Sequence, residues 1–266
     1  MRTGITRAGI VMPERKQMQL NLMGTLEVLE DRRILSLTAA KPRQVLAMLA
    51  VNASAMVSAE QLIDELWPDG PPSSAKTTVQ TYVYHLRKLL GRSFVSSRGK
   101  EVLVTRPAGY VLAVPRDDVD IFRFQRLTED GRNALRRGDA SRAADLLRDA
   151  LALWRGPPLA DVTRGSRLEG YSVYLEEQRM EALALRIEAD LEIRRHREIV
   201  GELRLLVTKH RLHEWLYVRL MQALHHSGRR GEALDVYQQL RRLLENELGL
   251  EPCRDAKQLH RQILSI

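Results

Sequence analysis

The sequence predicts a mostly α-helical protein with a small β component, in which a mixed N-terminal part precedes an all-helical part. Three observations lead to this prediction. Short segments that alternate apolar and polar residues are confined to the first 114 residues. From Ile121 to the end, apolar residues recur at helical spacing, and the acidic stretch 117–120 separates the two patterns. The length of 266 residues is sufficient for two domains.

The composition is that of an ordinary protein that folds in water. Hydrophobic residues make up 44% of the chain and charged residues 29%. The longest apolar run near the start, Val45 to Val51, is far shorter than the roughly 20 residues of a membrane helix, so we expect no membrane partner. The single cysteine, Cys253, excludes an internal disulfide and cysteine-based zinc sites, and it fits a reducing cytoplasm.

The net charge of +8 is concentrated in one segment. Residues 71–114 contain seven Lys or Arg residues against one acidic residue, Glu101. Residues 115–266 contain 27 cations against 25 acids and are nearly neutral. A focused basic patch beside a neutral remainder is typical of a nucleic-acid-binding module, although the charge alone also fits an anionic membrane surface.

The first part of the chain opens with a basic extension and a small sheet. Residues 1–17 show little periodicity, so we expect a disordered extension, and Met18 is an equally good natural start. Alternating residues predict strands at 20–24, 26–30 and 34–37. These strands would form an antiparallel sheet.

Three helices follow this sheet. Pro42 suits the first turn of the first helix. Ser58 followed three residues later by Gln61 is the pattern of a capping box and starts the second helix. The segment 68–72, rich in proline, breaks the chain before the third helix, which we place at 73–90 and which a glycine ends.

Strands after the third helix complete a winged helix-turn-helix. They are predicted at 93–97, 102–105 and 110–114, joined by turns at 98–100 and 106–109. Three helices followed by a terminal hairpin are the arrangement of that fold.

The turn of this hairpin carries a family pattern. The residues Arg106-Pro-Ala-Gly109-Tyr110 resemble the Arg-x-x-Gly-Tyr turn that closes the wing of OmpR/PhoB-type winged-helix domains. The strands placed before the helices agree with this resemblance, which covers residues 18–115. We expect positive φ at Gly109, because glycine adopts that conformation readily.

The third predicted helix has two unlike faces. At about 100° per residue, one face collects the apolar residues Val79, Tyr82, Val83, Leu86, Leu89 and Leu90. The other face has no carboxylate and carries Thr77, Gln80, Thr81, Tyr84 and Lys88, flanked by His85 and Arg87. An ordinary solvated face mixes acids with bases, so this face predicts contact with an anion. We interpret it as a recognition helix for the DNA major groove.

Side-chain chemistry divides the predicted DNA contacts into base-reading and phosphate-binding groups. Groups that suit base edges are carried by Gln80, Thr81, Tyr84 and Arg87. Groups assigned to phosphates, which fix register without reading sequence, are carried by Lys76, Thr77 and Lys88. Arg106 at the wing tip is assigned to the minor groove. Arg98 and Lys100 are assigned to phosphate contacts, with simple solvent exposure as an equal alternative.

Helical periodicity in the second part contains a repeat. Helices are predicted at 139–154 and 171–195, followed by two helical pairs. Residues 198–203 match 232–237 at an offset of 34, which is the helix-turn-helix period of tetratricopeptide repeats. A degenerate earlier copy begins at Gly138.

Taken together, the two parts resemble the Streptomyces antibiotic regulatory protein (SARP) family over residues 18–266. The residues that carry the resemblance are Thr78-x-Gln-Thr-Tyr-Val83 with Leu86-Arg87, Trp154-Arg-Gly-Pro157 and Ser227-Gly-Arg-x-x-Glu-Ala-Leu234. In that family the second part, residues 120–266 here, is called the bacterial transcriptional activation domain.

The resemblance implies a sequence-specific transcriptional activator in the cytoplasm. Its expected partners are double-stranded promoter DNA with direct repeats near the −35 element, a second protomer side by side on the DNA, and RNA polymerase holoenzyme through its sigma factor and alpha subunit. The loop that faces polymerase in OmpR-like activators corresponds to Pro68, Asp69, Gly70 and Pro71. The target genes would belong to a secondary-metabolite cluster.

The sequence carries no motif for catalysis or for a cofactor, so we expect neither. It lacks a phosphate-binding Gly-x-x-x-x-Gly-Lys loop, a His-Glu-x-x-His pair and a Gly-x-Ser-x-Gly elbow. Two alternatives remain open at this point. One is a tetratricopeptide-like adaptor whose basic half binds RNA or protein, and the other is a DNA-binding repressor.

Overall fold

The computed structural model describes residues 18–30, 33–91 and 102–265. The predicted extension at 1–17 and the predicted strand at 93–97 lie outside these residues. The described chain is mostly helical with two small sheets, and the predicted fold class is confirmed.

The chain forms two compact units whose composition is not sequential. The first unit contains the chain up to Arg126 together with Ala152–Gln178. The second contains Leu127–Leu151 and Arg179–Ile266. The winged-helix part therefore folds with a segment from the second half of the chain.

The first unit opens with the predicted antiparallel sheet. Its strands, in spatial order, are β1 (Met18–Asn21), β2 (Glu27–Glu30) and β3 (Arg33–Leu35). Leu20 lies opposite Val28, and Val28 lies opposite Leu35. Leu20 and Val28 are buried, so the alternating apolar residues face the core.

Three helices follow this sheet and pack against each other: α1 (Ala40–Val51), α2 (Ala59–Leu66) and α3 (Ala75–Gly91). The capping box that starts α2 is confirmed. The N–H of Gln61 donates to Ser58 Oγ at 3.0 Å, and the N–H of Ser58 donates to Gln61 Oε1 at 2.9 Å. Pro42 lies in the first turn of α1, as predicted.

The wing is a three-stranded sheet with spatial order β4 (Met56–Ser58), β6 (Gly109–Leu112) and β5 (Leu103–Arg106). The hairpin of β5 and β6 was predicted. Strand β4 was not, because three residues are too few to show a period. It becomes a strand through pairing with β6, where Val57 lies opposite Tyr110.

One interpretation of the wing is wrong. Gly109 is not among the glycines with positive φ in the described chain. A Cβ on this residue would lie 2.1 Å from the carbonyl oxygen of Val57. Glycine is needed here because β4 approaches closely, and the backbone conformation does not require it.

Helices make up most of the rest of the described chain. A 3₁₀ turn at Arg116–Asp118 precedes α4 (Asp120–Arg136), α5 (Ala140–Ala152), α6 (Ser166–Glu192), α7 (His196–Lys209), α8 (Glu214–His226), α9 (Arg230–Leu248) and α10 (Arg254–Leu264). Helix α5 lies within the predicted helix 139–154. Helix α6 starts five residues before its predicted start at Tyr171, for a tertiary reason described below.

The repeat in the second unit is visible in the turns α4–α5, α6–α7 and α8–α9. Each turn places one residue in the left-handed region, at φ of 77° for Gly138, 61° for Arg194 and 80° for Gly228. In each turn the N–H of that residue donates to the carbonyl three residues earlier, and the next N–H donates to the carbonyl five residues earlier. The predicted spacing and the degenerate first copy are both confirmed.

The core of the second unit lies among α7, α8 and α9. Leu203, Leu216 and Tyr217 are buried there, and the small side chain of Ala233 is completely covered. Gly249, at φ 65°, ends α9 in the left-handed conformation common after helices.

Candidate nucleic-acid interface

Helix α3 has the two faces that its sequence predicts. Val79, Val83, Leu86 and Leu90 are at most 1% exposed and join the core of the first unit. The predicted DNA-contact residues that are exposed on α3 are Lys76, Thr77, Gln80, Thr81, Tyr84 and Lys88. The ring of Tyr84 is 62% exposed, which is unusual for an aromatic residue without a partner surface. Tyr82, predicted in the core, is only half-buried.

Backbone contacts limit what one threonine on this face can offer. Thr81 Oγ1 donates to the carbonyl of Thr77 at 3.1 Å, one helical turn earlier. With its hydroxyl proton engaged, Thr81 presents a methyl group and lone pairs outward. These groups suit contact with a thymine methyl better than donation to a base.

Arg87 is the predicted contact whose position differs most from the others. Its side chain is only half-exposed and turns toward the wing. Arg87 Nε donates to the carbonyl of Leu103 at 2.9 Å, and Nη2 donates to Thr105 Oγ1 at 2.5 Å. Both acceptors lie on β5. Arg87 therefore connects α3 to the wing.

The wing carries Arg106 at its tip, exposed where β5 turns into β6. Arg106 pairs with Gly109 across the turn, so its backbone position is fixed by the sheet. Arg98 and Lys100, predicted to contact phosphate, lie outside the described residues.

The loop between α2 and α3 is exposed throughout its predicted contact residues Pro68, Asp69, Gly70 and Pro71. The end of α2 from which it departs is held by α1. Gln44 Nε2 donates to the carbonyl of Glu65 at 2.8 Å, and Lys41 Nζ donates to the carbonyl of Leu66. The loop is thus exposed to solvent, while the end of α2 from which it starts is held in place by α1.

The side chain of Glu65 is the structural feature that sequence reasoning missed. It is 1% exposed, and its carboxylate accepts from the N–H groups of Gly165 at 2.6 Å and Arg167 at 3.0 Å. A longer contact joins it to the N–H of Leu168 at 3.4 Å. These are the free N–H groups at the start of α6, so a residue 100 positions away caps that helix and sets its early start.

A signal for Glu65 was present in the sequence. Residues three apart on a helix share a face, and Leu62 precedes Glu65 by three positions on the buried face of α2. A carboxylate on an apolar face needs internal donors. Which donors it finds cannot be derived from α2 alone.

The motif Trp154–Pro157 has a structural role in the first unit. The N–H of Arg155 donates to the carbonyl of Met23, at the turn between β1 and β2. Its guanidinium pairs with Glu27 and, at 3.2 Å, with Asp120. The motif therefore docks on the N-terminal hairpin.

Asp120 completes this contact at the start of α4. Its carboxylate accepts from the N–H groups of Leu22 at 2.8 Å and Met23 at 2.9 Å. Burial raises the pKa of the Asp120 carboxyl, and these donors together with Arg155 offset part of the rise. This aspartate was predicted only as part of a domain boundary, and it is a buried hydrogen-bonding centre.

Two further features of the described residues concern membranes and metals. Among its helices, none has a stretch both long and apolar enough to cross a membrane. Within the same residues, no group of three or more histidine, cysteine or acidic side chains has a metal-binding arrangement.

A winged helix with an exposed, carboxylate-free recognition helix, followed by helical repeats, defines a DNA-binding transcriptional regulator. Residues 33–112 match the family described as "Transcriptional regulatory protein, C terminal", and residues 119–264 match "Bacterial transcriptional activator domain". The chain belongs to the SARP family of transcriptional regulators. These matches are to regulators and not to enzymes.

Known relatives agree over nearly the whole chain. Regulatory protein DnrI of Streptomyces peucetius is 41% identical over 251 residues, covering 93% of this chain and 92% of that protein. Regulatory protein AfsR of Streptomyces griseus is 34% identical over 93% of this chain, which spans only 24% of AfsR. A structure of Mycobacterium tuberculosis EmbR in complex with a low-affinity phosphopeptide has a TM-score of 0.87 and 32% identity, covering 95% of this chain and 66% of that one.

Proposed function

We propose that the protein activates transcription in the cytoplasm by binding direct repeats near the −35 element of promoters of a secondary-metabolite cluster. Two protomers would lie side by side on the DNA and recruit RNA polymerase holoenzyme through its sigma factor and alpha subunit. The observation that supports this most directly is the outer face of α3. Six exposed polar or cationic side chains, without a carboxylate, stand on a helix whose opposite face is buried.

The exposed groups divide by chemistry into base readers and phosphate contacts. Gln80, Thr81 and Tyr84 would meet base edges in the major groove. Lys76, Thr77 and Lys88 would hold phosphates, as would Arg98 and Lys100. Arg106 would enter the minor groove from the wing.

The contacts of Arg87 support a revised role. Two of its donor groups already bind β5, at Leu103 and Thr105, so fewer remain for a base edge. We assign it to positioning the wing, and thereby Arg106, relative to α3. This is a different function from the base reading expected from its sequence position.

A double-mutant cycle separates the two roles of Arg87. If Arg87 positions the wing, Arg106→Ala should weaken specific binding less in an Arg87→Ala background than in the native protein, because Arg106 is already misplaced. Thr105→Val, which removes one of the two acceptors, should reproduce part of this loss. Additive losses, with relaxed preference at one base pair, would return Arg87 to base reading.

Selection of bound duplexes from a random library tests the operator arrangement. Side-by-side protomers predict enrichment of a direct repeat with a period near one helical turn, about 10–11 base pairs. Enrichment of an inverted repeat or of a single site would contradict this arrangement. Failure to retain any duplex, with RNA retained instead, would favour the adaptor interpretation.

Transcription reconstituted with purified polymerase tests recruitment. With a template carrying the selected site, the protein should increase transcript yield, whereas a decrease would identify a repressor. Asp69→Ala in the exposed α2–α3 loop should reduce this increase without changing affinity for the duplex. The matched control is Asp64→Ala, which removes an exposed carboxylate from α2, outside the loop.

A further inference from the structure

The three equivalent turns of the second unit bring equivalent residues to one edge of the repeat array. We define the turn edge as residues 136–142, 192–198 and 226–232, seven residues around each left-handed position. A side-chain contact connects two of these turns. The rings of His196 and His226 stack at 4.8 Å, which joins the second turn to the third.

A buried carboxylate connects α5 and α6 to the second turn. Asp190, 2% exposed, accepts from Arg148 of α5 at 3.3 Å and from Arg186 of α6 at 2.9 Å. Arg195, in the second turn, lies 3.8 Å from the same carboxylate. Ring stacking therefore joins the second and third turns directly, and the Asp190 carboxylate ties the second turn to α5, the helix that follows the first turn.

Positive charge is concentrated on the turn edge. The second unit contains 21 Lys or Arg residues against 18 Asp or Glu residues. The turn edge accounts for eight of these cations and four of the acids, so the remainder of the unit has 13 cations and 14 acids. The excess charge of the unit lies entirely on this edge.

Arg194 is an independent indication that the edge has a function. It occupies the left-handed position at φ 61° where the two equivalent turns have glycine. A non-glycine residue there costs on the order of 1 kcal/mol, and such strain is concentrated at functional sites. Arg194 is exposed, and its guanidinium has no hydrogen bond or ion pair within the described chain.

Other arginine side chains of the edge are likewise exposed and free to bind another molecule. The exposed guanidinium groups for which the described residues provide neither a carboxylate nor a carbonyl acceptor belong to Arg137, Arg142, Arg194 and Arg197, whereas Arg230 donates to the carbonyl of Leu264. Arg136, Arg195 and Arg229 are instead paired with Glu129, Asp190 and Glu232. The edge thus presents four guanidinium groups outward, at least one from each of the first two turns.

The chemistry of the edge favours phosphate over an acidic protein surface. Protein interfaces depend on buried aromatic or aliphatic anchors. Among the described residues, none of the large exposed hydrophobic side chains lies on the turn edge. Contact with a nucleic-acid backbone needs no such anchor, and guanidinium groups match phosphate geometry.

We propose that the turn edge is a second DNA-contact surface, which binds the phosphate backbone of duplex DNA without reading its sequence. Arg137, Arg194 and Arg197 are its principal contacts. This inference rests on DNA binding by the winged helix, which delivers the duplex. Its effect would be added affinity that is independent of sequence and sensitive to salt.

The test compares two triple variants of the full chain on a duplex that carries the selected site and long flanks. The edge variant is Arg137→Ala, Arg194→Gly and Arg197→Ala, in which glycine also relieves the strained turn. The control variant is Lys209→Ala, Arg242→Ala and Arg254→Ala. It removes the same charge from exposed positions of the same unit that also lack a partner in the described chain.

The readout is the slope of log affinity against log salt concentration. Each lost phosphate contact reduces the magnitude of this negative slope by about 0.9. The edge variant should therefore have a slope shallower by about two to three units than that of the native protein. The control variant should keep the native slope. Equal slopes for the edge and control variants would overturn the proposal, while retained site-specific binding would leave the function of the winged helix intact.

A second readout separates DNA from protein as the partner. The edge variant could bind the duplex with the native slope and yet fail to increase transcription with purified polymerase. That result would assign the edge to a protein contact and overturn the phosphate assignment. Circular dichroism of both variants, expected to match the native protein, shows that the second unit is folded.

Discussion

Polar and charged side chains are found both on the outer face of α3 and at two buried carboxylates, those of Glu65 and Asp120. The two regions use these side chains in opposite ways. On α3, Lys76, Gln80 and Lys88 project into solvent. Glu65 and Asp120 are 1% and 7% exposed, and their carboxylates accept from backbone N–H groups far away in sequence. The first region leaves its groups accessible to another molecule, and the second uses them within the fold.

The difference suggests a test that separates structural from binding roles of polar residues in this protein. A buried carboxylate is stabilising only while its donors stay in place, so its loss should appear as lost stability. An exposed cation contributes little to stability, so its loss should appear in binding. Arg87 lies between these extremes, half-exposed and bonded to the wing.

The largest effect is expected from Glu65→Ala. This change leaves the first N–H groups of α6 buried without acceptors, and we expect a loss of about 3 kcal/mol in the free energy of unfolding. Urea denaturation of the full chain measures it. Asp64→Ala, on the exposed side of the same helix, should change stability by no more than about 0.5 kcal/mol. Equal losses for the two variants would contradict the structural role of the buried Glu65 carboxylate.

The packing around the Glu65 carboxylate can also be tested by changing Gly165, one of the residues that donate to it. A Cβ on Gly165 would lie 2.5 Å from the carbonyl oxygen of Glu65, so Gly165→Ala should destabilise the protein by about 1–3 kcal/mol. Gly170, inside α6, has open space at its Cβ position. Gly170→Ala should therefore stabilise the helix by about 0.5–1 kcal/mol. Thermal unfolding of both variants checks the opposite signs.

The exposed region should respond in binding alone. Lys88→Ala should weaken binding to all duplexes about equally and make the salt slope shallower by about one unit, because one phosphate contact is lost. Its unfolding free energy should stay within about 0.5 kcal/mol of the native value. Preferential loss on the specific site would instead assign Lys88 to base reading.

The smallest effect is expected from His196, whose side chain is partly buried and so lies between the exposed and the buried groups in its accessibility to solvent. Partial burial, then His226 and Arg194, lower the pKa of His196. A lowered pKa means that the folded state binds fewer protons, so stability should fall as pH drops below the ordinary histidine pKa of about 6.5. His196→Gln should lose less melting temperature between pH 7.5 and 5.5 than the native protein. His213→Gln is the matched control, and an identical loss in both variants would contradict the prediction.

Local patterns were enough to predict much of the fold and of the candidate interface. The two faces of α3 and the capping box of Ser58 and Gln61 depend on residues within a turn or two of each other, and the repeat is visible as a short pattern that recurs after 34 residues. The exposure of Gln80, Tyr84 and Lys88 follows from the same helical periodicity. For these features the sequence contains all of the geometry that matters.

Other features depended on partners that no local pattern specifies. Strand β4 exists through its pairing with β6, and Gly109 is required by the approach of that strand. Arg87 shares the outer flank of α3 with Lys88, yet the position of β5 turns it inward. Glu65 caps a helix that begins about 100 residues later in the chain. Side-chain direction along one helix is set by its own period, whereas the atoms that meet a buried polar group are set by the packing of distant segments.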